Sequence, residues 1–216
     1  MSDAPIKRVG EFSVEKLLLP DKKNLSVAYA ARSGSGKTFH LTKMVESAVK
    51  NPAFKNTRFV YCSIKHEDYF KHSKDNPPVN SVTDALENMR EKKVTVFYPP
   101  EPEFYEQDID ILIDGIFDMK EVNPDHSFTI IIDDANVLKG FDSRGVPSPS
   151  VKKLIIAGRS MEIKGCFCLH RLSNLPRIMN GNLSGMVVMN ISQIDTEYTY
   201  KLFGIDLEKE IGELGD

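Results

Sequence analysis

Residues 31–38 read Ala-Arg-Ser-Gly-Ser-Gly-Lys-Thr, between the apolar run Leu25–Ala30 and an amphipathic helical pattern. A strand, a loop of small residues and a helix in that order form a phosphate-binding loop, which confines the chain to a narrow set of α/β architectures. Small residues allow successive backbone N–H groups to turn inward around an anion, and the following helix aims its positive end at the same place. In this reading Ser33, Gly34, Ser35 and Gly36 form the cradle, Lys37 reaches the β- and γ-phosphates, and the Thr38 hydroxyl ligates Mg²⁺. Ala31 stands where such loops usually carry Gly, a change that costs little if its φ stays negative. ATP and Mg²⁺ are therefore the expected cofactors.

The rest of the chain alternates strands with helices. Leu25–Ala30 reads as a strand and Lys37–Lys50 as a helix with Leu41, Met44, Val45 and Ala48 on one face, stopped by Asn51-Pro52. Thr57–Ser63 is a second strand. Ser81–Lys92 is a helix opened by a Ser81/Asp84 cap, and Lys93–Tyr98 is a third strand closed by Pro99-Pro100. Asp108–Met119 follows as a helix, then the strong strand Ser127–Asp134. A Gly-, Ser- and Pro-rich loop (135–149) leads to the helix Ser150–Ile163 and the strand Gly165–His170. A short helix near Asn174–Asn180, the strand Gly185–Asn190 and a last helix Asp195–Phe203 complete the pattern. The alternation predicts an α/β fold, a mainly parallel central sheet flanked by helices as in P-loop NTPases of the RecA-like class. Ligands of such sheets bind beyond the carboxyl ends of the strands.

Composition fits one domain able to bury a core: 216 residues, 41% apolar and 27% charged. Residues 1–23 read as an N-terminal arm, 24–204 as the P-loop domain and 205–216 as an acidic tail. No apolar stretch is long enough to span a bilayer, and Met1–Arg8 lacks a secretory signal's apolar segment, so a cytoplasmic protein is expected. Cys62, Cys166 and Cys168 fall in strand-like runs without metal-ligand spacing and read as buried thiols. Charge is unevenly spread. Between Ala135 and Asn190, Lys139, Arg144, Lys152, Lys153, Arg159, Lys164, Arg171 and Arg177 face only Asp142 and Glu162, a balance that points to an anionic partner such as nucleic acid.

Two further signals carry chemistry. The β-branched run 128–132 ends in Asp133-Asp134, paired carboxylates of the kind a nucleotide hydrolase needs opposite its phosphate loop. Asp133 would hold Mg²⁺ through its water shell, leaving Asp134 to orient or deprotonate the attacking water. The next strand, Gly165–His170, ends in a polar residue. It resembles the strand that, in the branch of phosphate-loop ATPases with an extra catalytic acid, inserts between the acidic strand and the loop-bearing one. The resemblance implies that the polar tip, His170, touches the γ-phosphate or the water. A structural histidine is the competing account.

The order of these elements resembles the FtsK/HerA group of DNA-pumping ATPases. It is similar, more narrowly, to the small genome-packaging ATPases of tailless icosahedral viruses with an internal membrane. The likeness runs over about residues 25–192. Its discriminating part is Ala157-Gly158-Arg159, the polar-tipped strand, Leu175-Pro176, the turn Asn180–Asn182 and the strand Gly185–Asn190. The group usually carries Glu at position 134 and Gln at position 170, where this chain has Asp and His. The resemblance implies a homo-oligomeric ring of roughly five or six subunits with ATP at each boundary, and a neighbour's arginine at the phosphates. Arg159 is the first candidate, since a merely solvated residue would not need Gly158 before it; Arg144 and Arg171 are reserves, and an intramolecular salt bridge is the rival account of Arg159. Lys139, Lys152 and Lys153 would hold double-stranded DNA without reading its sequence. Viral capsid vertex or membrane proteins become possible partners, and the host cytoplasm or the virion vertex the expected location. A small-molecule kinase, or a nucleotide-binding assembly factor docking through the arm and tail, uses the same loop and stays open.

Overall fold

The computed structural model describes residues 17–20, 26–64, 76–141, 145–189, 195–197 and 200–201. Six strands, β1 (Ser26–Ala31), β2 (Thr57–Cys62), β3 (Val94–Phe97), β4 (Ser127–Ile132), β5 (Ile163–Leu169) and β6 (Leu183–Met189), form one sheet in the order β3-β2-β4-β5-β1-β6. Every pairing is parallel, with Tyr61 opposite Ile131 and Tyr29 opposite Cys168. Strands buried on both faces need no polar alternation, and β1 and β5 are buried at every position.

Helices cover both faces because β1 to β4 each feed a helix that returns to the start of the next strand. α1 (Lys37–Lys50) packs Leu41, Met44, Val45 and Ala48 on the face presented by Val27, Tyr29, Ile131, Cys166 and Cys168. α2 (Val82–Glu91), α3 (Tyr105–Val122) and α4 (Pro149–Ala157) cover the other face, where Ile109, Leu112, Ile113, Ile116 and Leu154 meet Ala28, Ala30, Ile130 and Phe167. The residues 17–20 cross under the α1 face. Leu18 is fully buried there, Thr129 donates its hydroxyl to the Leu18 carbonyl at 2.7 Å, and Lys164 donates to the Leu19 carbonyl at 3.2 Å. The three cysteines are free and buried, and among the described residues no helix is long and apolar enough to cross a membrane.

Element boundaries differ from expectation where tertiary geometry intervenes. The expected helix Ser150–Ile163 ends at Ala157. A 3-10 turn over Gly158–Met161 and Glu162 at φ 53° follow, and β5 already begins at Ile163. Gly158 explains the break: a Cβ there would lie 2.4 Å from the Ile163 carbonyl oxygen, so the chain doubles back against itself at that point. The Glu162 side chain then pairs with Lys120 at 2.9 Å, and Lys120 also donates to two carbonyls of the loop before β4. The helix expected near Asn174–Asn180 is two 3-10 turns, Leu172–Asn174 and Arg177–Met179, split by Leu175-Pro176. α3 starts earlier and ends later than expected, and β4 stops at Ile132, which releases both aspartates into a turn. Residues 195–197 and 200–201 are helical, in keeping with a last helix; the acidic tail and Arg144 lie outside the described residues.

Candidate functional site

The loop leaves β1 at the carboxyl edge of the sheet. Gly34 and Gly36 sit at φ 78° and 80°, the left-handed region that only glycine enters freely, and nothing lies within 4 Å of where either Cβ would be. Space, then, is not what excludes a side chain at these positions. The backbone angle does. Ser35 closes the turn by donating from both its N–H and its hydroxyl to the Arg32 carbonyl. No side chain caps α1, so its first amides face the hollow of the loop, as an anion site requires.

Strand order brings the acids to this loop. β5 is inserted between β4 and β1, the arrangement that places the tip of β5 between the acidic turn and the phosphate loop. The Lys37 ammonium lies 2.9 Å from Asp133 Oδ1 and 3.4 Å from Asp134 Oδ1, with all three side chains at least nine-tenths buried. Thr38 donates its hydroxyl to Asp133 Oδ2 at 3.0 Å. Asp134 is left-handed at φ 53°, at a cost of roughly 1–2 kcal/mol for a residue with a Cβ. Its own N–H is held by Asp133 Oδ1 at 2.9 Å. That turn brings its carboxylate within 3.0 Å of His170 Nε2. Asp134 and His170 are therefore in direct contact, the ring of one reaching the carboxylate of the other.

Burial presses the Asp133 carboxyl upward, but the adjacent Lys37 charge and hydrogen bonds from Tyr61, Lys37 and Thr38 outweigh it and hold the group below the ordinary carboxylate range. Burial likewise pulls the Lys37 ammonium down, and the charge of Asp133 more than reverses this, holding Lys37 above its usual value. Lysine and aspartate thus stabilise each other's ionised forms.

Three supporting residues carried no sequence signal. Tyr61 donates to Asp133 Oδ2 at 2.6 Å; burial and then the carboxylate push its own ionisation far up, so it remains a donor. Tyr105, fully enclosed, donates to the Asp133 carbonyl at 3.2 Å and anchors the acidic turn to α3. Asn136 accepts the His170 N–H at 3.1 Å and an amide proton of Asn174, fixing the tip of β5. A tyrosine near the end of an apolar strand is ordinary until its neighbour is known to be the acidic strand.

Arg159 is not brought to this site. It is exposed in the turn before β5, at the amino edge of the sheet, one strand length or roughly 20 Å from the phosphate loop. Gly158, which seemed to single it out, is explained by its contact with Ile163. Arg171, exposed and directly after His170, lies at the loop's own edge. The basic segment also divides. Lys164 is buried and tied to the Leu19 carbonyl, whereas Lys139, Lys152, Lys153 and Arg177 are exposed, Lys153 reaching Asp114 and the face of Phe117.

The donor set fits Mg²⁺ with a nucleotide. Its members are hard oxygens, the Thr38 hydroxyl beside one carboxylate. Among the described residues no group of three or more His, Cys, Asp or Glu could hold an ion unaided. An ion here would take its remaining ligands from phosphate and water, as Mg²⁺ characteristically does.

All-parallel sheet, phosphate loop and apposed acidic turn together define a P-loop NTPase fold. No protein-family model matches the chain, and no curated protein matches it in sequence. Solved structures do. The genome-packaging NTPase B204 of Sulfolobus turreted icosahedral virus 2, in complex with ATP-gammaS, superposes with a TM-score of 0.63 at 16% identity, over 89% of this chain and 86% of that one. The DNA-packaging ATPase B204 of Sulfolobus turreted icosahedral virus gives 0.63 at 16%, over 86% and 84%. EssC (ATPases 2 and 3) of Geobacillus thermodenitrificans gives 0.53 at 11%, over 85% of this chain but 35% of that one. The likeness is one of fold, and it agrees with the resemblance to FtsK/HerA-type ATPases read from the sequence.

Proposed function

We propose that this protein is a Mg²⁺-dependent ATPase that works as a ring and moves double-stranded DNA into a preformed viral capsid. The observation that carries the ATPase reading is the apposition of Lys37 and Thr38 with Asp133 across the strand β5, with His170 on Asp134 beside them. The packaging reading is supported by what the B204 proteins of similar fold do.

In this reading Lys37 exchanges its carboxylates for phosphate oxygens when ATP enters, and the loop amides take the β-phosphate. Bound Mg²⁺ supplies neutralisation of charge on the β- and γ-phosphate oxygens. Asp133, held ionised by Lys37 until ATP enters and still accepting the Tyr61 hydroxyl, would hold the metal through its water shell. Asp134 accepts the proton of the attacking water, and His170 steers that carboxylate and the water's approach. The role of completing arginine falls to a neighbouring subunit. Arg159, a strand length from its own loop, could reach a neighbour's phosphates only if the copies were offset along the strands, whereas Arg171 already stands at the phosphate edge.

Phosphate release from the purified chain, with and without double-stranded DNA, tests this. DNA should stimulate turnover. Lys37→Ala should lower it about 1,000-fold and Asp134→Asn about 100-fold. Wild-type turnover in Lys37→Ala would remove the loop from the chemistry. Tight ATP binding without hydrolysis in the unaltered chain would replace the motor with a nucleotide-dependent assembly factor. Comparing Arg159→Ala with Arg171→Ala identifies the arginine, since loss should occur in one and not the other.

A further inference from the structure

The two faces of the sheet carry opposite charge. On the outer surface of α3 and the turn before it, Glu101, Glu103, Glu106, Asp108, Asp118 and Glu121 are exposed or half-exposed. Asp110 and Asp114 beside them bond Ser148, Ser150 and Lys153 at α4, and the one base of the stretch, Lys120, is buried. On the opposite face, α1 exposes Lys43 and Lys50 against Glu46, with Arg32 before the helix and Lys55 after it. The α3 surface also shows apolar side chains at helical spacing, Phe104 and Ile111 each 49% exposed and Val122 79% exposed. The α1 surface has one, Phe39, 52% exposed with the Lys43 ammonium 5.7 Å from its ring centre. An aligned row of large apolar groups is uncommon on a monomer's surface, and surfaces of opposite charge on opposite sides of one molecule are complementary to one another.

We infer that the α1 face of one copy docks on the α3 face of the next, forming the head-to-tail contact of the ring; this deepens the ring reading above and rests on it. Because the two surfaces differ, the contact is heterologous, the kind that closes into a cycle when the rotation between copies closes and runs on as a filament when it does not. Both helices run from the carboxyl ends of the strands to the amino ends, so a rotation about an axis along the strands brings equal depths together. Lys50, the last residue of α1, then lies level with Asp118 of α3, and Phe39 lies toward Phe104. The same geometry keeps each Arg159 a strand length below its neighbour's phosphates and sets Arg171 level with them.

Sedimentation of the full chain, with a nonhydrolysable ATP analogue and at several salt concentrations, reads this directly. Lys50→Glu and Asp118→Lys should each weaken assembly about ten-fold, the combination should return it to near the wild-type value, and assembly should weaken with salt. Fluorescent ATP-analogue binding to the monomer should be unchanged in all three, which shows that the variants are folded. Wild-type assembly unaffected by either reversal would overturn this interface while leaving the ring intact. Loss of DNA binding by Lys50→Glu without change in sedimentation would make the α1 face a DNA surface and also overturn it. A wild-type chain monomeric under every condition would overturn the ring and the interface together.

Discussion

Lys37 and Asp133 form a buried, mutually stabilised ion pair, and their pKa shifts have opposite signs. Asp133 is held below its unfolded value, so its contribution to stability is complete above the ordinary carboxylate pKa of about 4 and is lost as pH falls through the depressed folded value. Lys37 is held above its unfolded value, so its contribution is complete below about 10 and disappears as pH rises through the raised folded value. Stability from this pair should therefore be flat between about pH 5 and 10 and fall on both sides. Urea midpoints measured against pH should show both shoulders in the wild type and lose them in Lys37→Met. Leaving Asp133 without its cation should also cost about 3–5 kcal/mol at neutral pH, part of it recovered by ATP-independent repacking in Lys37→Met/Asp133→Asn. A pH profile identical in wild type and Lys37→Met would mean that the pair is solvent-screened and energetically idle.

At the scale of elements, the decisive contacts are the places where the backbone approaches itself. Gly158 turns the end of α4 onto the start of β5, and a methyl group there would meet the Ile163 carbonyl oxygen at 2.4 Å. Gly158→Ala should destabilise the fold by about 2–3 kcal/mol in chemical denaturation while leaving residual ATP binding in the folded fraction. Gly36→Ala makes a useful contrast. Nothing crowds its Cβ, so the cost comes from φ alone, about 1–2 kcal/mol, but it falls in the phosphate cradle and should abolish nucleotide binding. If Gly158→Ala proved neutral and lost activity instead, the glycine would belong to a functional contact between subunits. The element pattern itself was legible because periodicity is local: α1 and the Ser81 cap of α2 stand where the sequence put them. The end of the fourth helix was not, because the helical spacing of Leu154, Ala157 and Met161 runs on past Gly158 in the sequence until the register of β5 with β4 decides where the strand begins.

For the whole molecule, charge distribution matters more than net charge. With Lys164 buried, the exposed bases of the segment after the acidic strand are Lys139, Lys152, Lys153, Arg159, Arg171 and Arg177 among the described residues, and Lys153 is paired with Asp114. Their contact with DNA should be sequence-independent. The logarithm of affinity should fall linearly with the logarithm of salt concentration, by about 0.9 per phosphate engaged. Lys152→Glu and Arg177→Glu should each reduce that slope by about 1, whereas Lys164→Met should change stability and leave the slope alone. Affinity independent of salt, measured by anisotropy on a duplex of mixed sequence, would exclude this segment as the DNA surface.

Sequence alone determined the phosphate loop, its strand and helix, the acidic strand and the alternation that makes a parallel sheet. All of these are written in neighbouring residues, through positive φ at glycines, apolar period and capping. The resemblance already implied that β5 separates the acids from the loop, as the strand order has it. Only the tertiary structure decided that Asp134 meets His170, that Tyr61 and Asn136 support them, and that Arg159 lies a strand length away. Those relations join residues tens of positions apart. They follow from the order in which strands pair and from where each chain leaves the sheet, quantities that no local stretch of sequence encodes.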